Sequence, residues 1–191
     1  MKKGNSGGLV ISENNNNVMD NHSHGTHIAG IIAAKRNKTA IVGANPNAKI
    51  MIIKVLNHKG RGSKQMVYQG LEYAIKNGAH ISNLSLGFIS KWTLLEKQSK
   101  NLLEKHPHHI MIAAAGNLGT SIEVWPSNFG DFFENAFSVG MTTKRDDAHF
   151  KSNYFDYSIW APGESINSTT FHGQYKFMTG TSQAAPLVAA V

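Results

Sequence analysis

The chain has 191 residues, of which 41% are hydrophobic and 16% charged, with a net charge of +7 and no cysteine. This composition is typical of one globular domain, and it excludes disulfides, thiolate catalysis and cysteine-bound zinc. No apolar stretch reaches the roughly 18 residues that span a bilayer, so we expect no membrane partner. The basic residues are not interleaved with aromatic side chains and form no nucleic-acid-binding motif, so we expect no nucleic-acid partner.

Short apolar runs alternate with helical patterns, which predicts an α/β fold with a mainly parallel central sheet and helices on both faces. In chain order we predict a helix over 24–34, a strand over 49–56, a helix over 64–77, a strand over 80–84, a helix over 93–106, and strands over 110–115 and 136–140. A last helix should begin close to Ser182, because Pro186 is tolerated only near a helix N-terminus.

Ser182 stands where the glycine turn of GTSQAAP, residues 180–186, enters this last helix. Backbone N–H groups at a helix N-terminus point outward, and the helix dipole there favours negative charge, which suits a developing oxyanion. Serine is also a common N-cap residue, so this serine by itself indicates only a helix start.

Asn117 follows a predicted buried strand, in the segment AAAGN at residues 113–117. Open α/β sheets bind their ligands at the carboxyl ends of such strands. An asparagine amide there can donate a hydrogen bond to an oxyanion, but Gly-Asn is also an ordinary turn pair. The asparagine alone therefore does not establish a site.

Three histidines, His22, His24 and His27, lie within DNHSHGTHIAG at residues 20–30. Zinc-binding helices usually carry histidines at i and i+4 with a glutamate, whereas His24 and His27 are three apart with no acid between them. We therefore expect no metal site. General base catalysis and packing stay open for His24 at this point.

Together, the segments HSHGTHIAG, AAAGN and GTSQAAP resemble the motifs of the subtilisin-like serine peptidases, the subtilases, in that family's order. The resemblance implies a three-layer subtilisin-like fold, with residues 1–191 forming a single, partial catalytic domain. It also implies a monomer that hydrolyses polypeptide substrates by an Asp/His/Ser mechanism and requires no cofactor. His24 is then the general base, Ser182 the nucleophile and Asn117 the oxyanion donor, while His27 is structural and His22 a loop residue.

The same resemblance implies two substrate-binding regions. Gly60, Arg61 and Gly62 are similar to the segment that pairs with the extended substrate backbone. The two walls of the pocket for the side chain before the cleaved bond are similar to Ser85, Leu86 and Gly87 and to Ala114, Ala115 and Gly116. Our hypothesis is that Arg61 favours acidic residues a few positions before the cleaved bond.

The family's triad aspartate has no counterpart at the expected place. The resemblance implies an Asp-Thr-Gly or Asp-Ser-Gly turn well upstream of His24, but Asp20 is the sole aspartate before it. We interpret Asp20 as an ordinary loop residue and expect that the chain is truncated at both ends and lacks a central strand. The alternatives are an inactive remnant, a peptide-binding pseudoprotease, or a zinc hydrolase using the three histidines.

The same resemblance has implications for calcium binding and for the location of the protein. Asn37 is similar to one calcium ligand of the family, but Lys35, Arg36 and Lys38 surround it, so calcium is not supported. An extracellular, bacterial location is implied by analogy, although no signal-peptide core follows the first lysines.

Overall fold

The computed structural model describes residues 2–3, 9–11, 17–37, 41–89 and 94–191. These residues form, in chain order, β1 (Lys2–Lys3), β2 (Leu9–Val10), α1 (His24–Ala33), β3 (Ile53–Lys54), α2 (Lys64–Lys76), β4 (Ile81–Leu84), α3 (Leu94–Lys105), β5 (Ile110–Ala114), β6 (Ala136–Thr142), β7 (Ser158–Pro162), β8 (Ile166–Thr170), β9 (Gln174–Met178) and α4 (Thr181–Ala189). None of the described helices is long and apolar enough to cross a bilayer.

Strands β4, β5, β6 and β7 form a parallel sheet in that order. Strand β5 shows why helices cover both faces, because its side chains alternate between two cores. Met111 and Ala113 pack with residues of α2 and α3, whereas Ile112 and Ala114 pack with residues of α4. All four are at most 4% exposed. The predicted three-layer α/β fold with a mainly parallel sheet is confirmed.

The helices begin and end within one residue of the predictions, except that Thr93 lies outside the described residues. The strand predicted over 49–56 is much shorter, because only Ile53–Lys54 is paired, with β2. Within the described residues, β3 forms hydrogen bonds only with β2, and β4 forms hydrogen bonds only with β5. Each of these two strands is therefore an edge strand of its sheet. Ile50, Ile52 and Ile81 beside these edges are 40–41% exposed. The crossover from β3 through α2 to β4 therefore joins two separate sheets.

An antiparallel hairpin of β8 and β9, which the sequence analysis missed, packs on α1. Ser168 Oγ donates to the His27 carbonyl at 2.7 Å, and Thr169 Oγ1 donates to the Thr26 carbonyl at 3.0 Å. A Cβ atom at Gly30 would collide with both hydroxyl groups, so the close approach requires glycine. The hairpin thereby fixes the helix whose first turn carries His24.

Candidate active site

Asp20 caps helix α1. Its Oδ1 accepts hydrogen bonds from the backbone N–H groups of His22 at 2.7 Å and Ser23 at 3.0 Å, and its Oδ2 accepts from the Thr26 N–H at 2.8 Å and hydroxyl at 2.7 Å. Burial raises the pKa of Asp20, but these hydrogen bonds outweigh it and leave the pKa below its usual value. The interpretation of Asp20 as an ordinary loop residue was therefore wrong: it stabilises the helix N-terminus.

His24 is the first residue of α1 and is half-buried. Its ring lies edge-on to that of His22, with 6.4 Å between centroids. Burial lowers the pKa of His24, His22 and His27 lower it further, and the Asp20 charge opposes them. The imidazole is therefore neutral near pH 7, which is the form that a general base needs.

His27 is buried, and its ring contacts strand β9. It is 0% exposed, and its Nε2 lies 2.8 Å from the Lys176 carbonyl oxygen in β9. An imidazole nitrogen next to a carbonyl must carry the proton, so this nitrogen donates and is not free to bind a metal. His22, His24 and His27 therefore do not form one ligand set, and no other metal-ligating cluster occurs within the described residues. This geometry does not support the zinc interpretation.

Asn37 is the residue that resembles a calcium ligand. It lies after the C-terminal end of α1, whereas His24 lies at the N-terminal end of that helix. Lys35 beside it donates to the Pro46 carbonyl at 3.0 Å, and Lys38 lies outside the described residues. The absence of a required cofactor stays a prediction.

Ser182 lies in the first turn of α4 and pairs reciprocally with Ser85. Pro186 has no N–H, so no helical hydrogen bond from position i+4 reaches the Ser182 carbonyl. That carbonyl instead accepts from Ser85 Oγ at 2.8 Å, while Ser182 Oγ donates to the Ser85 carbonyl at a long 3.3 Å. Helices α1 and α4 pack together, yet within the described chain no hydrogen bond joins Ser182 Oγ to His24.

Asn117 is oriented by Thr181, a residue that the sequence analysis did not single out. Asn117 Oδ1 accepts from the Thr181 N–H at 2.9 Å and from its hydroxyl at 3.2 Å. The same hydroxyl accepts from the Gly116 N–H at 3.1 Å. Because both contacts go to the amide oxygen, the Nδ2–H₂ group is left as the donor of this side chain. Thr181, which is 0% exposed, thus couples the strand end to the first turn of α4.

A cavity of about 200 Å³ adjoins these groups. Six of the predicted site residues line this cavity: Leu86, Gly87, Ala114, Gly116, Asn117 and Ser182. Four further residues also line it: Ile89, Leu118, Val124 and Thr181. No charged side chain belongs to this lining, so the cavity suits an apolar group. Ile89, Leu118 and Val124 lie on loops without a recognisable motif, so the sequence did not indicate them. Thr181 lies within GTSQAAP, but only its hydrogen bonds to Asn117 distinguish it from a helix-start residue.

Ala115, which we predict to bind substrate, is not among the residues that line the cavity. It is 0% exposed, and its N–H donates to the Val139 carbonyl of β6 at 3.0 Å. Its methyl group therefore fills the core, because the end of β5 is still paired in the sheet. Ser85 lies beside the cavity and contacts Ser182, as described above.

The predicted backbone-binding segment Gly60, Arg61 and Gly62 lies on a separate loop that does not line the cavity. Gly60 has φ +68°, and a Cβ built on it would lie 3.2 Å from His22 Nε2. A Cβ on Gly62 would collide with the Val55 carbonyl. The loop is thus close to the His22 ring, in the histidine-bearing segment.

Comparisons with known proteins point to one family. The family model described as "Subtilase family" matches residues 8–191. Subtilisin BL of Lederbergia lenta is 36% identical over 184 residues, covering 96% of this chain and 66% of that protein, and M-protease of Shouchella clausii is 36% identical over 186 residues, covering 97% and 47%. A solved cold adapted subtilisin-like serine proteinase, 28% identical, matches with a TM-score of 0.80 over 97% of this chain and 66% of that one. The chain therefore spans about half to two thirds of these relatives, and it belongs to the subtilase family.

Proposed function

We propose that this chain carries the nucleophile, general base and oxyanion donor of a serine endopeptidase. One observation supports the proposal: Asn117 and Ser182 line the same cavity, and Thr181 at the N-terminus of α4 holds the Asn117 amide oxygen by two hydrogen bonds. A side-chain amide, a helix N-terminus and a hydroxyl beside an apolar cavity suit acyl transfer on a peptide.

In the proposed reaction Ser182 Oγ attacks the carbonyl carbon of the substrate, and its proton moves to the His24 imidazole. The carbonyl oxygen becomes an oxyanion that accepts hydrogen bonds from Asn117 Nδ2 and the Ser182 N–H. His24 then gives its proton to the departing amine nitrogen as the C–N bond breaks, which leaves an acyl-serine. Water repeats the sequence, with His24 as the base, and releases the acid and Ser182.

The proposal requires the Ser182 side chain to move. Ser182 Oγ has to leave the Ser85 carbonyl and turn towards His24, on the helix α1 that packs against α4. The bond that is lost is long, at 3.3 Å, and a neutral hydrogen bond contributes only about 1 kcal/mol. The rotation is therefore a small cost compared with a catalytic barrier.

Labelling with a fluorophosphonate probe tests the proposal, because an activated serine oxygen attacks its phosphorus, displaces fluoride and forms a stable phosphonate ester. We expect Ser182 to be the modified residue by peptide mass mapping, with labelling absent in Ser182→Ala and strongly slowed in His24→Ala. Ser121→Ala is the matched control, because it removes an exposed serine hydroxyl that does not line the cavity. An unlabelled wild-type chain would contradict the proposal.

A second candidate function is peptide binding without hydrolysis. It is favoured by one observation: within the described residues no carboxylate bonds to the His24 ring, because both Asp20 oxygens are used at the helix N-terminus. This candidate predicts saturable binding of a fluorescent peptide, with no product detected by mass spectrometry and no probe labelling. Binding followed by cleavage supports the endopeptidase.

The setting of this activity is proposed by analogy with the bacterial relatives. We propose that the chain acts outside the cell, as a monomer, on polypeptide substrates. Light scattering of the purified chain and immunodetection in the culture medium of its source test these statements.

A further inference from the structure

The loop of residues 57–61 presents a concentrated positive charge beside the candidate general base. His58, Lys59 and Arg61 are all exposed. The neighbouring Gly60 contacts the His22 ring, which in turn lies 6.4 Å from the His24 ring between centroids. The loop that carries these basic side chains therefore approaches the segment of His22 and His24, and none of the three lines the apolar cavity.

The conformation of this loop is fixed in advance by Asn57. Its Oδ1 accepts from the N–H groups of Lys59 at 2.9 Å and Arg61 at 3.1 Å, and its own N–H donates to the Arg61 carbonyl at 2.9 Å. The left-handed conformation of Gly60 completes the turn. A loop held in this way presents its basic side chains from one ordered backbone, which lowers the entropic cost of binding.

No carboxylate of the described chain neutralises these side chains. The ion pairs there, Lys64 with Glu96 and Lys76 with Glu72, lie elsewhere. Asp20 is near in sequence to His22, but its carboxylate is engaged at the start of α1. The charge of the loop is therefore available to an external anion.

We propose that the 57–61 loop is a subsite that selects an acidic side chain of the polypeptide substrate, a few positions before the cleaved bond. This inference rests on the proposed function and extends it to substrate class. The subsite is exposed, so each ion pair is weak and screened by salt. We expect about a three- to tenfold preference in kcat/KM for glutamate over glutamine, which falls at high salt.

Matched peptides that differ only by glutamate, glutamine or lysine at the second, third or fourth position before the cleaved bond test this subsite. Cleavage is followed by mass spectrometry at low and high sodium chloride. We expect the glutamate preference at one of these positions in the wild-type chain and its loss in Lys59→Gln/Arg61→Gln. The control, Lys76→Gln/Lys105→Gln, removes the same charge from the last turns of α2 and α3, at the opposite edge of the sheet, and should keep the preference.

The outcomes separate the two proposals. Equal cleavage of the three peptides, by a chain whose Ser182 is labelled by the fluorophosphonate, overturns the acidic subsite and leaves the endopeptidase intact. If Ser182 is not labelled, the endopeptidase fails, and the subsite is then tested by the affinity of Ser182→Ala for the same peptides. Equal affinity for glutamate and glutamine peptides in that variant overturns the subsite as well.

Discussion

Replacing Asp20 by alanine should destabilise the whole domain through helix α1. The carboxylate accepts four hydrogen bonds, three from the backbone N–H groups of His22, Ser23 and Thr26 and one from the Thr26 hydroxyl. Ser23 is only 8% exposed, so water cannot easily replace the carboxylate there. Loss of an N-cap costs about 0.5–2 kcal/mol, and the charged acceptor places this case near the upper end.

We therefore expect Asp20→Ala to lower the free energy of unfolding by about 2 kcal/mol, or Tm by roughly 4–8 °C for a chain of this length. Urea unfolding followed by circular dichroism measures the first quantity and a thermal scan the second. Asp156→Ala is the matched control, because Asp156 is an exposed carboxylate and its loss should change stability by less than about 0.5 kcal/mol.

The pH dependence of the same difference provides a second test. Because the hydrogen bonds leave the pKa of Asp20 below its unfolded value, its stabilising contribution is complete above the unfolded pKa. It is lost as the pH falls through the folded pKa. The stability difference between wild type and Asp20→Ala should thus be constant from pH 8 to pH 5 and shrink below about pH 4.

Asp20→Asn decides between helix capping and a catalytic role. Asparagine keeps one acceptor oxygen, but its amide nitrogen cannot accept the hydrogen bonds of the other Asp20 oxygen. The cap interpretation therefore predicts a loss of about 1 kcal/mol, smaller than in Asp20→Ala, and probe labelling within about tenfold of wild type. If Asp20 were the acid partner of His24, the same substitution would slow the reaction by about 10⁴-fold, the magnitude known for triad aspartates. A fully stable Asp20→Asn that labels this slowly would refute the capping argument.

Three further predictions concern the cavity and the core. Asn117→Leu removes one oxyanion donor and should slow labelling and hydrolysis about 10²–10³-fold, the cost reported for such a donor in a subtilisin, as kinetics on a short peptide will show. Val124→Ala enlarges the cavity, so peptides with phenylalanine before the cleaved bond should gain relative to those with alanine, in competition assays read by mass spectrometry. Burial lowers the pKa of His109, so the contribution of this histidine to stability is complete above about pH 6.5. The contribution is lost as the pH falls towards the folded pKa, by at most about 1.4 kcal/mol per pH unit. Urea unfolding at pH 7.5 and 5.5 should therefore show a smaller loss of stability in His109→Gln than in wild type.

Local patterns were sufficient to predict the helices and the central strands of the sheet. Helix α2 follows from apolar positions at helical spacing and a stop at Asn77, while β5 follows from a continuous apolar run that is buried on both faces. The hairpin of β8 and β9 could not be predicted in this way, because its second strand, Gln174–Met178, is mostly exposed. Its position is set by hydrogen bonds to α1, more than 140 residues away in sequence.

The candidate site divides in the same manner. Ser182, Asn117 and His24 lie in recognisable segments, so their motifs indicated them. Thr181 orients Asn117 across 64 residues, and no local pattern encodes that hydrogen bond. Asp20 has an unremarkable sequence context, and only the folded backbone shows that its carboxylate meets three N–H groups.

The described residues organise the oxyanion side of the site more completely than the base. Asn117 and the first turn of α4 are tied together through Thr181, whereas no carboxylate in the part of the chain that the structure describes bonds to the ring of His24. Burial lowers the pKa of His24, and therefore destabilises the protonated imidazole that forms when Ser182 loses its proton. A carboxylate at this ring would reverse that effect and fix the tautomer, since an adjacent negative charge stabilises the imidazolium. Whether the chain hydrolyses peptides or only binds them thus depends on the charge next to His24, while the nucleophile and oxyanion donor serve either function unchanged.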